Sequence, residues 1–219
     1  MIKGAIFDMD GTLLDSMMIW DSIVEEYIES IGFTPDPDLR VKVNNMSLLQ
    51  AAEFIKEEFS LTSSVSDMIA DVNKIAERHY INDVAIKAGL MNLLDYLEKN
   101  NVKMCIATAT DQYLVKKILD KCGISKYFSN IFTCTDVGYG KNNPYIYRKA
   151  LESLNVPKEK TVVFEDAWYA VKTAKKDGFF VAAVYDEYEK YHKEVEETAD
   201  FVISDYNDLK DFFKVIENM

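Results

Sequence analysis

At 219 residues, 48% of them apolar, with 8 glycines and 4 prolines, the chain can build one sizeable core plus an inserted module, and it carries no low-complexity tract of a disordered tether. A formal net charge of -12 argues against nucleic-acid and anionic-membrane partners, which would repel most of the exterior; an anionic ligand must therefore meet local cations or a metal. No apolar run is of membrane-spanning length, the first strand follows no secretory-type leader, and Cys105, Cys122 and Cys134 are widely spaced in apolar surroundings. A cytoplasmic protein with three reduced, buried thiols is expected.

The first short apolar run, Ala5 to Phe7, has the character of a strand buried on both faces. From Ser16 to Asp83 the pattern is helical throughout, with helices expected at Met17 to Ile31, Ser47 to Phe59 and Val65 to Tyr80, parted by Pro35, Pro37 and the stretch Leu61 to Ser64. Such a block must bury its apolar stripes on itself or on the rest of the protein. Lys87-Ala88-Gly89 then leads into a helix over Leu90 to Lys99. Further buried-type strands are expected at Val102 to Ala107, Ile131 to Cys134, Thr161 to Phe164 and Val181 to Val184, with amphipathic helices between them. The acidic and aromatic run from Tyr185 to Glu197 reads as a solvated helix and loop. This alternation implies an α/β fold, a doubly wound parallel-sheet core of residues 1–15 and 84–219, with an all-helical module of residues 16–83 inserted into it and its site at the carboxyl ends of the strands.

Directly after the first strand stands Asp8-Met9-Asp10-Gly11-Thr12. Two carboxylates two residues apart at a strand end converge on one small volume. The full string, Phe7 to Ser16, closely resembles the opening motif of the haloacid dehalogenase-like hydrolase superfamily, in its β-phosphoglucomutase and phosphatase-like branch with a helical cap. The resemblance implies a Rossmann-like core, phosphoryl transfer and a Mg2+ cofactor. It makes Asp8 the nucleophile that forms an aspartyl-phosphate and Asp10 the acid and base. Gly11 allows the tight course of the loop and Thr12 is expected to hold it by a local hydrogen bond.

The family's later motifs follow in order. Thr108-Ala109-Thr110 stands where a Ser or Thr binds an oxygen of the transferring phosphate, so Thr108 and the Ala109 amide are implied donors. Gly140-Lys141-Asn142-Asn143-Pro144 supplies the expected lysine, Lys141, with Asn142 replacing the usual Pro. Glu165-Asp166 supplies the acidic pair of the metal site. Asp8, Asp166 and the main-chain carbonyl of Asp10 are implied ligands, with Glu165 at or near the ion. The departure is Ala167-Trp168-Tyr169-Ala170, bulky where the family is small; filling an interface is the expected role of Trp168 and Tyr169.

In such enzymes the cap selects the substrate, and here Trp20, Met17, Asn44, Asn45 and Met46 are the candidates, Trp20 and Asn45 foremost. The cap lacks a His near Trp20 and an Arg in the stretch Val43 to Leu48, the groups a β-phosphoglucomutase-like hexose phosphate mutase uses. Hydrolysis of a small phosphorylated metabolite, such as a sugar phosphate, is therefore expected, with the mutase as alternative. A signalling receiver module, the remaining alternative, places its acid pair first and its phosphorylated Asp after the third strand. A monomer is expected, with a dimer as the other possibility. His79 and His192 lie outside every motif.

Overall fold

The computed structural model describes every residue except Asn44, Asn45 and Ser47, and only the main chain of Asp21. The chain divides into two compact units, Ser16–Val84 and the remainder, Met1–Asp15 with Ala85–Met219.

The smaller unit is helical: α1 (Met17–Ser30), α2 (Leu39–Val43), α3 (Leu48–Glu58) and α4 (Val65–Asn82). Helix α4 starts where Ser64 Oγ accepts the Asp67 N–H at 3.1 Å, satisfying one of the amides that a helix start leaves without a partner. It buries Met68, Val72, Ile75, Ala76 and Tyr80, one apolar stripe at helical spacing. Helix α2 was not expected from the sequence. At five residues it is too short to carry a periodic signal. His79, to which the sequence assigns no part, joins α4 to α1: Nε2 lies 2.7 Å from Glu26 Oε2 and Nδ1 lies 2.8 Å from Asp83 Oδ2. Arg78 donates to the same Glu26.

The larger unit holds β1 (Gly4–Phe7), β2 (Leu14–Asp15), β3 (Ala85–Ile86), β4 (Lys103–Thr108), β5 (Ile131–Thr133), β6 (Thr161–Glu165), β7 (Phe180–Val184) and β8 (Phe201–Ile203). Its helices are α5 (Leu90–Lys99), α6 (Gln112–Lys121), α7 (Cys134–Val137), α8 (Tyr145–Leu154), α9 (Trp168–Lys176), α10 (His192–Thr198) and α11 (Lys210–Asn218). Six strands form one sheet in the order β5-β4-β1-β6-β7-β8, every neighbouring pair parallel. The short antiparallel pair β2 and β3 brackets the point where the chain leaves this unit and returns. Neither that pair nor β8 was expected from the sequence. Strands of two residues leave no pattern, and β8 is defined by its pairing with β7.

Because side chains alternate along a strand, Ile6, Cys105, Ala107, Val163, Val181 and Ala183 join a core with Ile146, Tyr147 and Ala150 of α8 and Val171 and Ala174 of α9. Phe7 points the other way. It stacks on Phe164 with ring centroids 4.2 Å apart, and Phe164 meets Phe212 of α11 edge-on at 5.6 Å. Aromatic pairs of this kind contribute roughly 0.5–1.5 kcal/mol beyond their buried area. Both faces are covered, which is why the strands read as continuous apolar runs. Among the thiols, Cys105 is buried as expected, whereas Cys122 and Cys134 are only half-buried, since Cys122 caps the end of α6 and Cys134 opens α7 instead of ending a strand.

Gly89 marks the entry into α5. Its φ of +79 is left-handed, and a Cβ there would lie 2.6 Å from the main-chain nitrogen of Asn207. Only glycine meets both conditions without strain. No helix among the described residues is long and apolar enough to cross a membrane.

Hydrogen bonds to Glu26, then to Asp83, raise the His79 imidazole above its ordinary 6.5. A histidine whose folded pKa is raised contributes stability that is complete below the ordinary value and is lost as pH rises through the folded one. Urea unfolding of wild type and His79→Gln between pH 6 and 9 is therefore expected to show a wild-type advantage that shrinks with rising pH. A constant difference would exclude this contribution.

Candidate active site

The register of the sheet sets the site. Phe7 lies opposite Ile106 of β4 and Phe164 of β6, so the residues that follow, Asp8 and Glu165, leave adjacent strands at one level. The Asp8 N–H extends the ladder by donating to the Phe164 carbonyl at 2.9 Å. The chain then doubles back: Leu13 and Leu14 both donate to the Met9 carbonyl, at 2.8 and 2.9 Å, and Gly11 donates to the Leu14 carbonyl at 3.0 Å. Gly11 takes a φ of +78 in this turn, the conformation glycine adopts without penalty. Thr12 is buried, but its hydroxyl does not hold the loop locally. It faces Asp166 Oδ1 at 3.4 Å, while its carbonyl accepts the Tyr206 hydroxyl at 3.1 Å.

At the end of β4, Thr108 is buried and Ala109 exposed. Thr108 Oγ1 accepts the Thr110 N–H at 3.1 Å, a hydroxyl-to-backbone turn. Thr110 was not among the residues expected in the site. Its hydroxyl donates to Asp10 Oδ2 at 2.7 Å. The signal was present as a second hydroxyl two positions after Thr108, but which of the two meets a carboxylate depends on the turn.

Lys141 is buried, and its ammonium donates to Asp8 Oδ1 and, at 2.7 Å, to Glu165 Oε1. The loop around it needs no proline at position 142. Asn143 Oδ1 accepts the Tyr145 N–H at 3.0 Å and the Asn143 N–H donates to Gly140, a side-chain turn that leads into Pro144 and α8. Tyr147, on the first turn of α8, also donates to Glu165 Oε1, at 2.7 Å. Glu165 Oε2 is buried without a hydrogen-bond partner.

Asp8, Glu165 and Asp166 each offer an oxygen within 4.8 Å of the others. Neither Glu165 nor Asp166 caps α9. Ala167 has no capping side chain, and the Trp168 N–H donates instead to Glu189 Oε2 at 2.8 Å, a carboxylate at the positive end of a helix. Within this unit Trp168 packs against the core cluster while Tyr169 is exposed, so Trp168 alone is a filler. The run after β7 is less solvated than expected: Asp186 is buried and pairs with Lys87 at 2.8 Å. In the smaller unit, the Trp20 indole N–H donates to the Tyr80 hydroxyl at 3.0 Å. Asn45, like Asn44, lies outside the described residues.

Carboxylates dominate the charge of the cluster. Burial first, then repulsion from Asp10, raises the Asp8 carboxyl above the usual range against the pull of Lys141. Burial and Asp8 push Glu165 up to about 7. Burial, Asp8 and Glu165 raise Asp166 well above its ordinary value. Lys141 is raised as well, for the opposite reason: burial opposes its charge, but Asp8 and Glu165 outweigh it and keep the ammonium protonated well above its ordinary value. Hard oxygen donors in negative excess, one of them an orphaned buried oxygen, suit a small divalent cation.

Residues 5–184 match the family model of the haloacid dehalogenase-like hydrolases. A phosphorylated carbohydrates phosphatase of Thermotoga maritima is 28% identical over 177 residues, 81% of this chain and 82% of the relative. Pyrophosphatase PpaX of Oceanobacillus iheyensis is 25% identical over 183 residues, 84% of this chain and 83% of the relative. The chain is similar to the crystal structure of a putative β-phosphoglucomutase from Thermotoga maritima, with a TM-score of 0.76, 25% identity, and coverage of 98% of this chain and 99% of that one. It shares its fold with CbbY from Rhodobacter sphaeroides in complex with phosphate, at a TM-score of 0.84 and 20% identity over 96% of this chain and 97% of that one.

Removing the ammonium from such a cluster leaves buried carboxylates uncompensated, at a cost of about 3–5 kcal/mol. Lys141→Met, unfolded by urea in the presence of a chelator, is expected to lose stability of that order. A loss below about 1 kcal/mol would show that the ammonium does not hold the cluster together.

Proposed function

The chain belongs to the haloacid dehalogenase-like hydrolases and is a phosphatase of that family, and from that premise we propose that it hydrolyses a small phosphorylated metabolite, a sugar phosphate or similar ester, through an aspartyl-phosphate on Asp8. The observation that carries this reading is the buried contact of Lys141 with both Asp8 and Glu165, at the strand ends where Asp8 and Asp166 also converge.

In the first step a carboxylate oxygen of Asp8 attacks phosphorus and the ester P–O bond breaks. The leaving oxygen takes a proton from Asp10. Asp10 next accepts a proton from water, whose oxygen attacks phosphorus; the bond to Asp8 breaks and inorganic phosphate leaves. Thr110, 2.7 Å from Asp10 Oδ2, orients that carboxyl for both transfers. Thr108 already accepts a hydrogen bond from Thr110, so its own O–H is available to a phosphate oxygen, with the Ala109 N–H as second donor. Lys141 offsets the repulsion between Asp8 and an anionic substrate.

Asp8, Asp166, Glu165 and the main-chain carbonyl of Asp10 would hold Mg2+. When bound, the ion supplies charge screening between nucleophile and phosphate and a template for their approach. The Ser16–Val84 unit acts as the cap, with Trp20 and Asn45 as its substrate-facing candidates. Hydrolysis is favoured over a mutase because the stretch Val43 to Leu48 carries no Arg, Arg40 standing a few residues upstream of it, and no His lies near Trp20. Gripping a second phosphate favours the bidentate fork of an Arg. The name of the Thermotoga maritima relative supports carbohydrate phosphates as the substrate class. The net charge of -12 supports a chain without nucleic-acid or membrane partners, and three widely spaced cysteines outside any CxxC pair support a reducing, cytoplasmic setting; a monomer is the reading, with a dimer as alternative.

Phosphate release from a panel of sugar phosphates, nucleotides and pyrophosphate tests the proposal. Wild type is expected to release phosphate from at least one sugar phosphate, and Asp8→Asn to lose at least about a thousandfold in rate. Interconversion of hexose phosphates without net release would replace hydrolysis by mutase chemistry. Thr110→Val is expected to lower kcat about tenfold with little change in KM, part of the hundredfold or more that a positioned acid and base contributes. An unchanged kcat would remove Thr110 from the mechanism.

A further inference from the structure

We infer that Tyr147 is a positioning residue for the metal site, its hydroxyl fixing Glu165 so that Oε2 is the oxygen presented to a divalent cation. This rests on the metal-binding reading above.

Two donors converge on one oxygen of Glu165. The Tyr147 hydroxyl and the Lys141 ammonium both lie 2.7 Å from Oε1, while Oε2 is buried and has no partner. Leaving a buried carboxylate oxygen without a donor costs at least about 1–3 kcal/mol. Sharing the donors between the two oxygens would relieve that cost, and the terminal torsion of a glutamate is broad enough to allow it. Turning the carboxyl, however, would break two charge-assisted hydrogen bonds at once. The arrangement keeps one oxygen occupied and reserves the other beside Asp8 and Asp166, whose oxygens lie within 4.8 Å.

Packing does not demand the hydroxyl. The Tyr147 ring sits in the core against Phe179, with centroids 6.2 Å apart, a place a phenylalanine ring would fill equally well. Tyr147 and Lys141 also belong to one loop and helix start, ordered by Asn143 and Pro144. The two donors therefore reach Glu165 as one rigid piece. Partners that orient a metal-binding side chain in this way are worth about 10–100-fold in metal affinity.

Thermal unfolding of chelator-treated wild type and Tyr147→Phe, followed against Mg2+ at constant ionic strength, tests the inference without any assay of activity. Wild type is expected to gain stability with Mg2+, and Tyr147→Phe to need about 10–100-fold more Mg2+ for half of that gain. A variant that is less stable without metal but has the wild-type Mg2+ midpoint overturns the inference and leaves the metal site intact. Absence of any Mg2+-dependent gain in wild type overturns the metal site and this inference together. Glu165→Gln with and without Tyr147→Phe gives a second arm, free of the buried charge that could prevent the single variant from folding. With Glu165 already neutralised, the two Mg2+ midpoints are expected to agree, and a further weakening in the double variant overturns the role given to Glu165.

Discussion

The pairing of the Lys141 ammonium with Asp8 and Glu165 is the interaction around which the larger unit is arranged. Taking a carboxylate or an ammonium out of water costs several kcal/mol per ion, and mutual attraction offsets this only when the geometry is held closely. A parallel sheet provides that geometry. β1 and β6 are paired through Phe7 and Phe164, and the residues that follow emerge on the same edge with little freedom to separate. The stacked rings of Phe7 and Phe164 brace the two strands just below the charges.

Around the cluster, loops do the holding. The Tyr206 hydroxyl ties down the Thr12 carbonyl, Thr110 meets Asp10, and Glu189 caps the helix that follows Asp166. Each contact comes from a segment distant in sequence. The result is a site whose acidic groups are supported by neutral or main-chain donors as well as by Lys141, so excess negative charge persists and suits a bound cation. In the smaller unit the polar contacts are of another kind. Trp20 with Tyr80, and His79 with Glu26, pin its first helix to its last.

Two residues illustrate how far a one-dimensional reading reaches. Lys141 was legible because its place after the third of the expected strands, before a proline, follows the order of a phosphoryl-transfer motif. Tyr147, six residues later, was not. Its spacing within α8 matches Ile146, Ala150 and Leu154, all core, and a tyrosine in an apolar stripe carries no sign of what its hydroxyl will meet. Thr110 and Glu189 escaped for the same reason: each acts on a partner about a hundred or about twenty residues away, across a turn whose shape the sequence does not state.

By itself, the sequence determined the alternation of buried strands and helices, the insertion after the first strand, and the identity of the acids, hydroxyl and lysine at the strand ends. Local periodicity encodes the first two, and the resemblance of the strand-end residues, in their order, to the motifs of the family identifies the third. Only the tertiary structure decided the sixth strand, the half-burial of Cys122 and Cys134, the capping of α9 by Glu189, and the oxygen of Glu165 left without a donor. Those depend on which distant groups the fold brings within 3 Å of one another, and hydrogen bonding at that range follows from packing in three dimensions, which spacing along the chain does not specify.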